Sequence, residues 1–129
     1  MLKAVILDNN AIARGLLRTV LADGGHDVVA DSNINPTNLA RARMHAPHIL
    51  FMDAGGDAAN FEALSELRTA LPKTVIFLVS GGFTTETVKE AAQRGVHGFI
   101  VKPFNGVTVL STIRTTVLKL VAKQKAAAE

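Results

Sequence analysis

Four polar side chains stand directly after short apolar runs. Asp8 follows Ala4–Leu7, Asp53 follows Ile49–Met52, Ser80 follows Val75–Val79 and Lys102 follows Phe99–Val101. If these runs are strands of one sheet pointing the same way, all four groups reach the same edge. Asp8 and Asp53 then bring two like charges together, and a cation must offset their repulsion. A hard divalent ion such as magnesium takes oxygen ligands, and several are at hand. They are the two carboxylates, the amide oxygen of Asn9 and a backbone carbonyl in the loop after Asp53. Lys102 adds a fixed positive charge and Ser80 a hydroxyl donor. A carboxylate nucleophile beside a metal, a lysine and a hydroxyl suits phosphoryl transfer onto aspartate, because all three partners stabilise phosphoryl oxygens.

Taken singly, most of these residues have a plainer use. Asp8 also reads as a helix cap accepting backbone amides, Ser80 as a turn residue, and Lys102 as a solvated lysine at a strand end. Asp53 is different, since a carboxylate directly ending a buried run has little structural purpose. The recurrence of polar groups at successive run ends is what carries the functional reading.

The elements that must position them follow from periodicity. The runs Ala4–Leu7, Val28–Ala30, Ile49–Met52, Val75–Val79 and Phe99–Val101 are strand length and nearly continuous in apolar residues. That pattern belongs to parallel strands covered on both faces. Between them lie stripes of helical period: Ile12, Leu16, Leu17, Val20 and Leu21; Phe61, Leu64, Leu67 and Leu71; Leu110, Ile113, Val117, Leu120 and Val121. Residues 36–45 and 84–94 complete the set with weaker patterns. Asn35-Pro36, Asn60, Thr84 and Asn105 are expected helix caps, and Gly24-Gly25 and Gly95 expected helix ends. The result is five βα repeats, hence an α/β fold with helices on both faces of a parallel sheet.

Composition removes other chemistries. The chain of 129 residues is one domain's worth, 48% of it hydrophobic, and it contains no cysteine. Disulfides, thiolate metal sites and thiol nucleophiles are therefore excluded. The net charge of +3 sits mostly in residues 119–129, where Lys119, Lys123 and Lys125 face only Glu129. The body has no basic surplus of the kind that phosphate-backbone binding uses, so nucleic acid is not an expected partner. No apolar run approaches the roughly 20 residues of a membrane span, and Met1-Leu2-Lys3 leads straight into a strand without a signal peptide. A cytoplasmic, soluble protein is expected. His26, His45, His48 and His97 lack the spacing of a metal cluster, and His45 and His48, flanking Pro47, read as surface residues. Neither a dinucleotide nor a P-loop glycine motif is present. The absence of Trp and Tyr speaks against a flavin pocket.

The segments V-I-L-D-N, P-H-I-L-F-M-D, V-I-F-L-V-S-G and G-F-I-V-K-P-F, in that order and spacing, resemble the receiver domain of two-component response regulators across essentially the whole chain. The resemblance implies a doubly wound, five-stranded parallel sheet of the flavodoxin-like type, strand order 2-1-3-4-5, with residues 1–122 as the receiver and 123–129 as a basic, alanine-rich tail. It implies phosphorylation of Asp53, magnesium held by Asp8, Asn9, Asp53 and the Gly55 carbonyl, Lys102 as the conserved-type lysine, and Ser80 and Phe99 as the switch pair. It also implies a cis Lys102–Pro103 peptide.

The partners implied are a histidine kinase or histidine phosphotransfer protein, docking around Asn10, Ala11, Arg14 and Pro103, and a downstream effector protein. The face of the fourth helix, fifth strand and fifth helix would change on phosphorylation and is a candidate for homodimer pairing. The chain is then a stand-alone receiver or the receiver part of a longer regulator, self-phosphorylating and self-dephosphorylating at most.

Two departures from the family pattern stand out. Asn9 replaces the second acidic residue, so one formal charge is missing from the metal site. The loop after Asp53 reads Ala54-Gly55-Gly56-Asp57 and lacks the family's hydrophobic residue and proline, which leaves Asp57 as a substitute carboxylate. These departures motivate an alternative: a phosphorylation-independent interaction module with a degenerate metal site.

Overall fold

Strands β1 (Lys3–Leu7), β2 (Asp27–Ser32), β3 (Ile49–Met52), β4 (Val75–Ser80) and β5 (Gly98–Val101) alternate with helices α1 (Ala11–Asp23), α2 (Pro36–His45), α3 (Ala58–Ala70), α4 (Thr85–Gln93) and α5 (Gly106–Ala128). The computed structural model describes residues 2–55 and 58–128. All four strand pairings are parallel and the order is β2-β1-β3-β4-β5, the architecture expected from the βα alternation and the resemblance.

The reason for unbroken apolar runs is visible in the packing. Val5, Leu7, Leu50, Met52, Ile76 and Leu78 point into one buried cluster with Ala42 of α2, Leu64 and Leu67 of α3 and Ala91 of α4. Their neighbours Ala4, Ile6, Ile49, Phe51, Phe77 and Val79 point the opposite way, onto Leu17 and Leu21 of α1 and Val109 and Ile113 of α5. Successive strand residues face opposite sides, so a sheet covered on both sides needs apolar residues at every position. Phe51 and Phe77 stack at 5.0 Å between ring centroids across the β3–β4 pair.

Most expected caps are in place. Asn35 accepts from the Asn38 amide at 2.8 Å, Thr84 from Thr87 at 3.1 Å and Asn105 from Thr108 at 2.8 Å. Gly24 receives the end of α1, and Gly25 follows at φ +83°. A Cβ on Gly24 would lie 2.4 Å from Leu110 Cδ2, so a side chain there would have to push the Leu110 side chain of α5 aside.

Asn60 corrects the sequence reading. It lies inside the first turn of α3, which already begins at Ala58, and its Nδ2 donates to the Ala54 carbonyl at 3.1 Å. The expected cap is instead a brace on the loop that follows Asp53. For α1 the cap is Asn10, whose Oδ1 accepts from the amides of Ile12 and Ala13, both at 3.0 Å.

The amino-terminal edge of the sheet is closed by histidines. His48 precedes β3; its amide donates to the Lys3 carbonyl at 2.9 Å, and its Nδ1 accepts from the Lys3 amide at 2.8 Å. His97 precedes β5 and does the same to Ile76, at 2.8 and 3.0 Å. His26, before β2, accepts from the Leu2 amide at 3.4 Å. Each imidazole occupies the place where its strand has no further residue to offer. His48 is exposed, as expected of a surface residue, yet it closes the ladder.

Candidate functional site

The carboxyl-terminal edge is built by carrying the ladders one residue past the strands. The Asp8 amide donates to the Ser32 carbonyl at 2.9 Å, the Asp53 amide to the Leu7 carbonyl at 3.0 Å, and the Lys102 amide to the Ser80 carbonyl at 2.8 Å. Since Leu7 pairs with Met52, the next residues on each strand, Asp8 and Asp53, emerge side by side. Between them lies the Lys102 ammonium, 2.8 Å from Asp8 Oδ2 and 2.6 Å from Asp53 Oδ2. Residues separated by 94 and 49 positions in the chain thus share one charge cluster.

Asp8 is only 7% exposed, while Asp53 and Lys102 are partly buried. Burial by itself lowers the pKa of Lys102. The hydrogen bonds and negative charges of Asp53 and Asp8 outweigh it, so the net shift is upward and the ammonium stays charged across the physiological range. Two carboxylates against one ammonium leave one negative charge in excess.

The remaining carboxylate oxygens are oriented by the backbone. Asp8 Oδ1 accepts from the Asn10 amide at 2.8 Å, and Asp53 Oδ1 from the Gly55 amide at 2.9 Å. Gly55 makes this tight return at φ +62°, a left-handed conformation that glycine adopts without strain. Asp8 therefore shapes the loop before α1, in addition to facing Asp53. Arg14, expected on a docking face, donates from Nη1 to the Asp8 carbonyl at 2.7 Å. Its spacing from Asp8, one turn into the following helix, was the available signal.

The other expected residues are arranged differently. The Asn9 side-chain oxygen accepts from the Ile34 amide at 2.7 Å, so it is engaged by the loop between β2 and α2. The Ser80 hydroxyl donates to the Gly82 carbonyl at 2.9 Å and accepts from the Gly82 amide at 3.2 Å. Phe99 is half-buried and meets Phe83 edge to face, with ring centroids 5.3 Å apart. Phe83 carries no periodic signal in the sequence and was not anticipated. A small cavity of about 80 Å³ is lined by Ala54, Gly55, Phe61, Ser80, Gly82 and Thr87, between the loop after Asp53 and the loop after Ser80. The Lys102–Pro103 peptide is cis. Asp57 lies outside the described residues.

The donor set fits a magnesium ion in its essentials. Each carboxylate oxygen accepts one hydrogen bond and retains a second lone pair. Asp8 and Asp53 are hard, charged ligands within reach of one ammonium, and their excess negative charge calls for another cation. Among the described residues no third acidic or histidine side chain joins them.

Comparison with known proteins agrees with this geometry. Residues 4–114 match the response regulator receiver domain family. The chain is 28% identical over 115 residues to the chemotaxis protein CheY of Bacillus subtilis, covering 88% of this chain and 96% of that one. It is also 28% identical over 104 residues to the nitrogen assimilation regulatory protein NtrX of Azorhizobium caulinodans, covering 78% of this chain but 23% of that much longer protein. Among solved structures, Vibrio cholerae CheY4 superposes with a TM-score of 0.76 at 23% identity, covering 90% of this chain and 98% of that one. A Thermotoga maritima response regulator gives 0.80 at 16% identity, covering 89% and 96%; these two likenesses speak for the fold. With its strand order, its edge of Asp8, Asp53 and Lys102 and the match over residues 4–114, the chain belongs to the response regulator receiver domain family of two-component signalling.

Proposed function

We propose that Asp53 accepts a phosphoryl group from a phosphohistidine on a histidine kinase or a histidine phosphotransfer protein, and that the chain then signals by binding an effector protein. A carboxylate oxygen of Asp53 attacks phosphorus as the P–N bond to imidazole breaks. The bond's electron pair stays on the imidazole nitrogen, and an acyl phosphate forms. The observation that carries this reading is the Lys102 ammonium held between Asp8 and Asp53. It screens the carboxylate from its neighbour and stands where phosphoryl oxygens gather charge.

Receiver domains generally bind magnesium at this site. Here Asp8, Asp53 and the Gly55 carbonyl would hold it, and the ion would supply further neutralisation of the phosphoryl oxygens. Ser80 is the switch hydroxyl and Phe99 the aromatic that follows it. To reach a group on Asp53, Ser80 has to give up its turn with Gly82.

For the donor, the exposed end of α1 is the docking face, where Ile12 and Leu16 are 76% and 57% exposed one turn apart, beside Asn10, Ala11 and the exposed Pro103. The effector, or a second copy of the chain, meets the face of α4, β5 and α5, where Val101 and Val107 are exposed. Residues 1–122 form the working unit and 123–129 a basic extension. No helix among the described residues is long and apolar enough to cross a membrane, and we place the chain in the cytoplasm with its kinase.

Incubation with magnesium and acetyl phosphate, read by intact mass, gives one added phosphoryl group that Asp53→Ala abolishes. No adduct with any donor would reject the proposal.

A second reading, an interaction module that works without phosphorylation, is favoured by one observation: the Asn9 oxygen is engaged at Ile34 and a carboxylate is missing. Asn9→Asp separates the two. A gain in magnesium affinity of about 10-fold or more marks a degenerate native site, whereas an unchanged affinity marks a native site already competent.

A further inference from the structure

The segment Gly81-Gly82-Phe83 joins β4 to α4, and the transfer chemistry makes no use of it. Its ends are fixed, by Ser80 in the strand and by Thr84 as the cap of α4. Crowding does not hold the middle, because a Cβ placed on Gly81 or Gly82 meets no atom within 4 Å. Two contacts do hold it. The Ser80 hydroxyl is bonded both ways to Gly82. One residue later the Phe83 ring stands edge to face on Phe99, with planes at 82°, and both rings pack on the cluster that includes Phe61, Leu78 and Ala91. Aromatic rings in this arrangement attract beyond the burial of their surfaces.

We propose that Phe83 is a positioning residue that ties the Ser80 hydroxyl to the Phe99 ring, so that neither leaves its present place alone. This rests on the reading of Asp53 as phosphoacceptor and adds the residue that sets the resting state of its switch. Ser80 cannot turn toward a group on Asp53 without releasing both bonds to Gly82. Freeing Gly82 moves the adjacent Phe83, and with it the ring edge against which Phe99 rests. The same contacts run in reverse: while Phe99 holds Phe83, Gly82 stays within reach of Ser80 and the hydroxyl stays turned away.

The probe is acetyl phosphate with magnesium, and the readout is the rate of adduct formation at Asp53. Phe83→Leu keeps an apolar side chain but removes the ring, and the rate rises by roughly 2- to 10-fold, the worth of one aromatic pair. Phe83→Tyr, which keeps the ring, returns the rate to that of the unaltered protein. In a Phe99→Leu background, Phe83→Leu has no further effect. A folded Phe83→Leu protein with an unchanged rate overturns the proposal, as does an acceleration that persists in full without Phe99.

A second measurement needs no phosphoryl group. Amide exchange of residues 81–84 quickens equally in Phe83→Leu and Phe99→Leu, and no further in the double variant; no change, or additive changes, overturns the tie. Should Phe83→Leu not fold, Phe99→Leu is read in the same two ways. If the unaltered protein takes up no phosphoryl group, the phosphoacceptor reading fails, and the exchange measurement alone decides for Phe83.

Discussion

The two edges of this sheet end their strands in opposite ways. At the carboxyl edge, Asp8, Asp53 and Lys102 crowd three charges within hydrogen-bond distance and leave one negative charge in excess. At the amino edge, His26, His48 and His97 present neutral acceptors to backbone amides. An amide can only donate, so Nδ1 must be unprotonated there and each ring carries its proton on Nε2. The first edge keeps an unbalanced charge, whereas the second satisfies itself. A parallel sheet exposes unpaired backbone groups at both ends, and the contrast teaches that one end has been closed locally while the other has been left to chemistry.

Removing the central cation has the largest expected effect on this contrast. Lys102→Met leaves two carboxylates facing each other and takes the fixed positive charge from the phosphoryl oxygens; adduct formation at Asp53 falls by about 10²-fold or more. Magnesium affinity, measured by titration, holds or rises in the same variant, because its competitor for the carboxylates is gone. A Lys102→Met protein that is phosphorylated at the normal rate would remove the basis of the contrast.

Damage to the amino edge is expected to act on stability alone. His97→Ala breaks the side-chain half of the clamp on Ile76 and costs about 1 kcal/mol, one net hydrogen bond. Urea unfolding reads this directly, while the rate of adduct formation stays within about 2-fold, the two edges being separated by the length of the strands. A change in rate as large as that of Lys102→Met would mean that the edges are coupled.

Acidification tests the same edge more gently. Burial lowers the pKa of His26; for His97 burial comes first and the Arg68 charge second. When the folded protein binds a proton less readily than the unfolded chain, stability is full above the ordinary histidine value of about 6.5 and declines as pH falls below it toward the folded values. Urea midpoints at pH 7.5 and 5.5 should therefore differ, with less difference in His97→Ala. Equal pH dependence in the two proteins would show that the clamp does not depend on a neutral ring.

The smallest effect expected is at the α1 cap. Asn10→Ala leaves the amides of Ile12 and Ala13 without their side-chain acceptor, a loss of about 1 kcal/mol in thermal or urea unfolding. The bond from the backbone amide of residue 10 to Asp8 Oδ1 is kept.

Much of the fold was legible because periodicity reports burial. Strands covered on both faces must be apolar throughout, and Ile49–Met52 was read to the residue. Caps were legible where a side chain acts on its own helix, as at Asn35, Thr84 and Asn105. Asn60 was misplaced because its partner, the Ala54 carbonyl, belongs to the preceding loop and not to the helix pattern. The role of His48 was missed for a similar reason: its partner, Lys3, lies on a neighbouring strand.

Composition and local order in the chain determined that Asp8, Asp53, Ser80 and Lys102 end or directly follow four of the five strands, since where a strand stops is a local property. Only the tertiary structure decided what those ends do. Register between β1 and β3 set the two carboxylates side by side, and the long Lys102 side chain, coming from β5 beyond β4, brought its ammonium to both. The loop from β2 drew the Asn9 oxygen to Ile34, and Gly82 and Phe83 held Ser80 and Phe99 in their present positions. Each of these depends on which distant backbone groups remain unpaired once the sheet has formed, and that is a property of the assembled sheet.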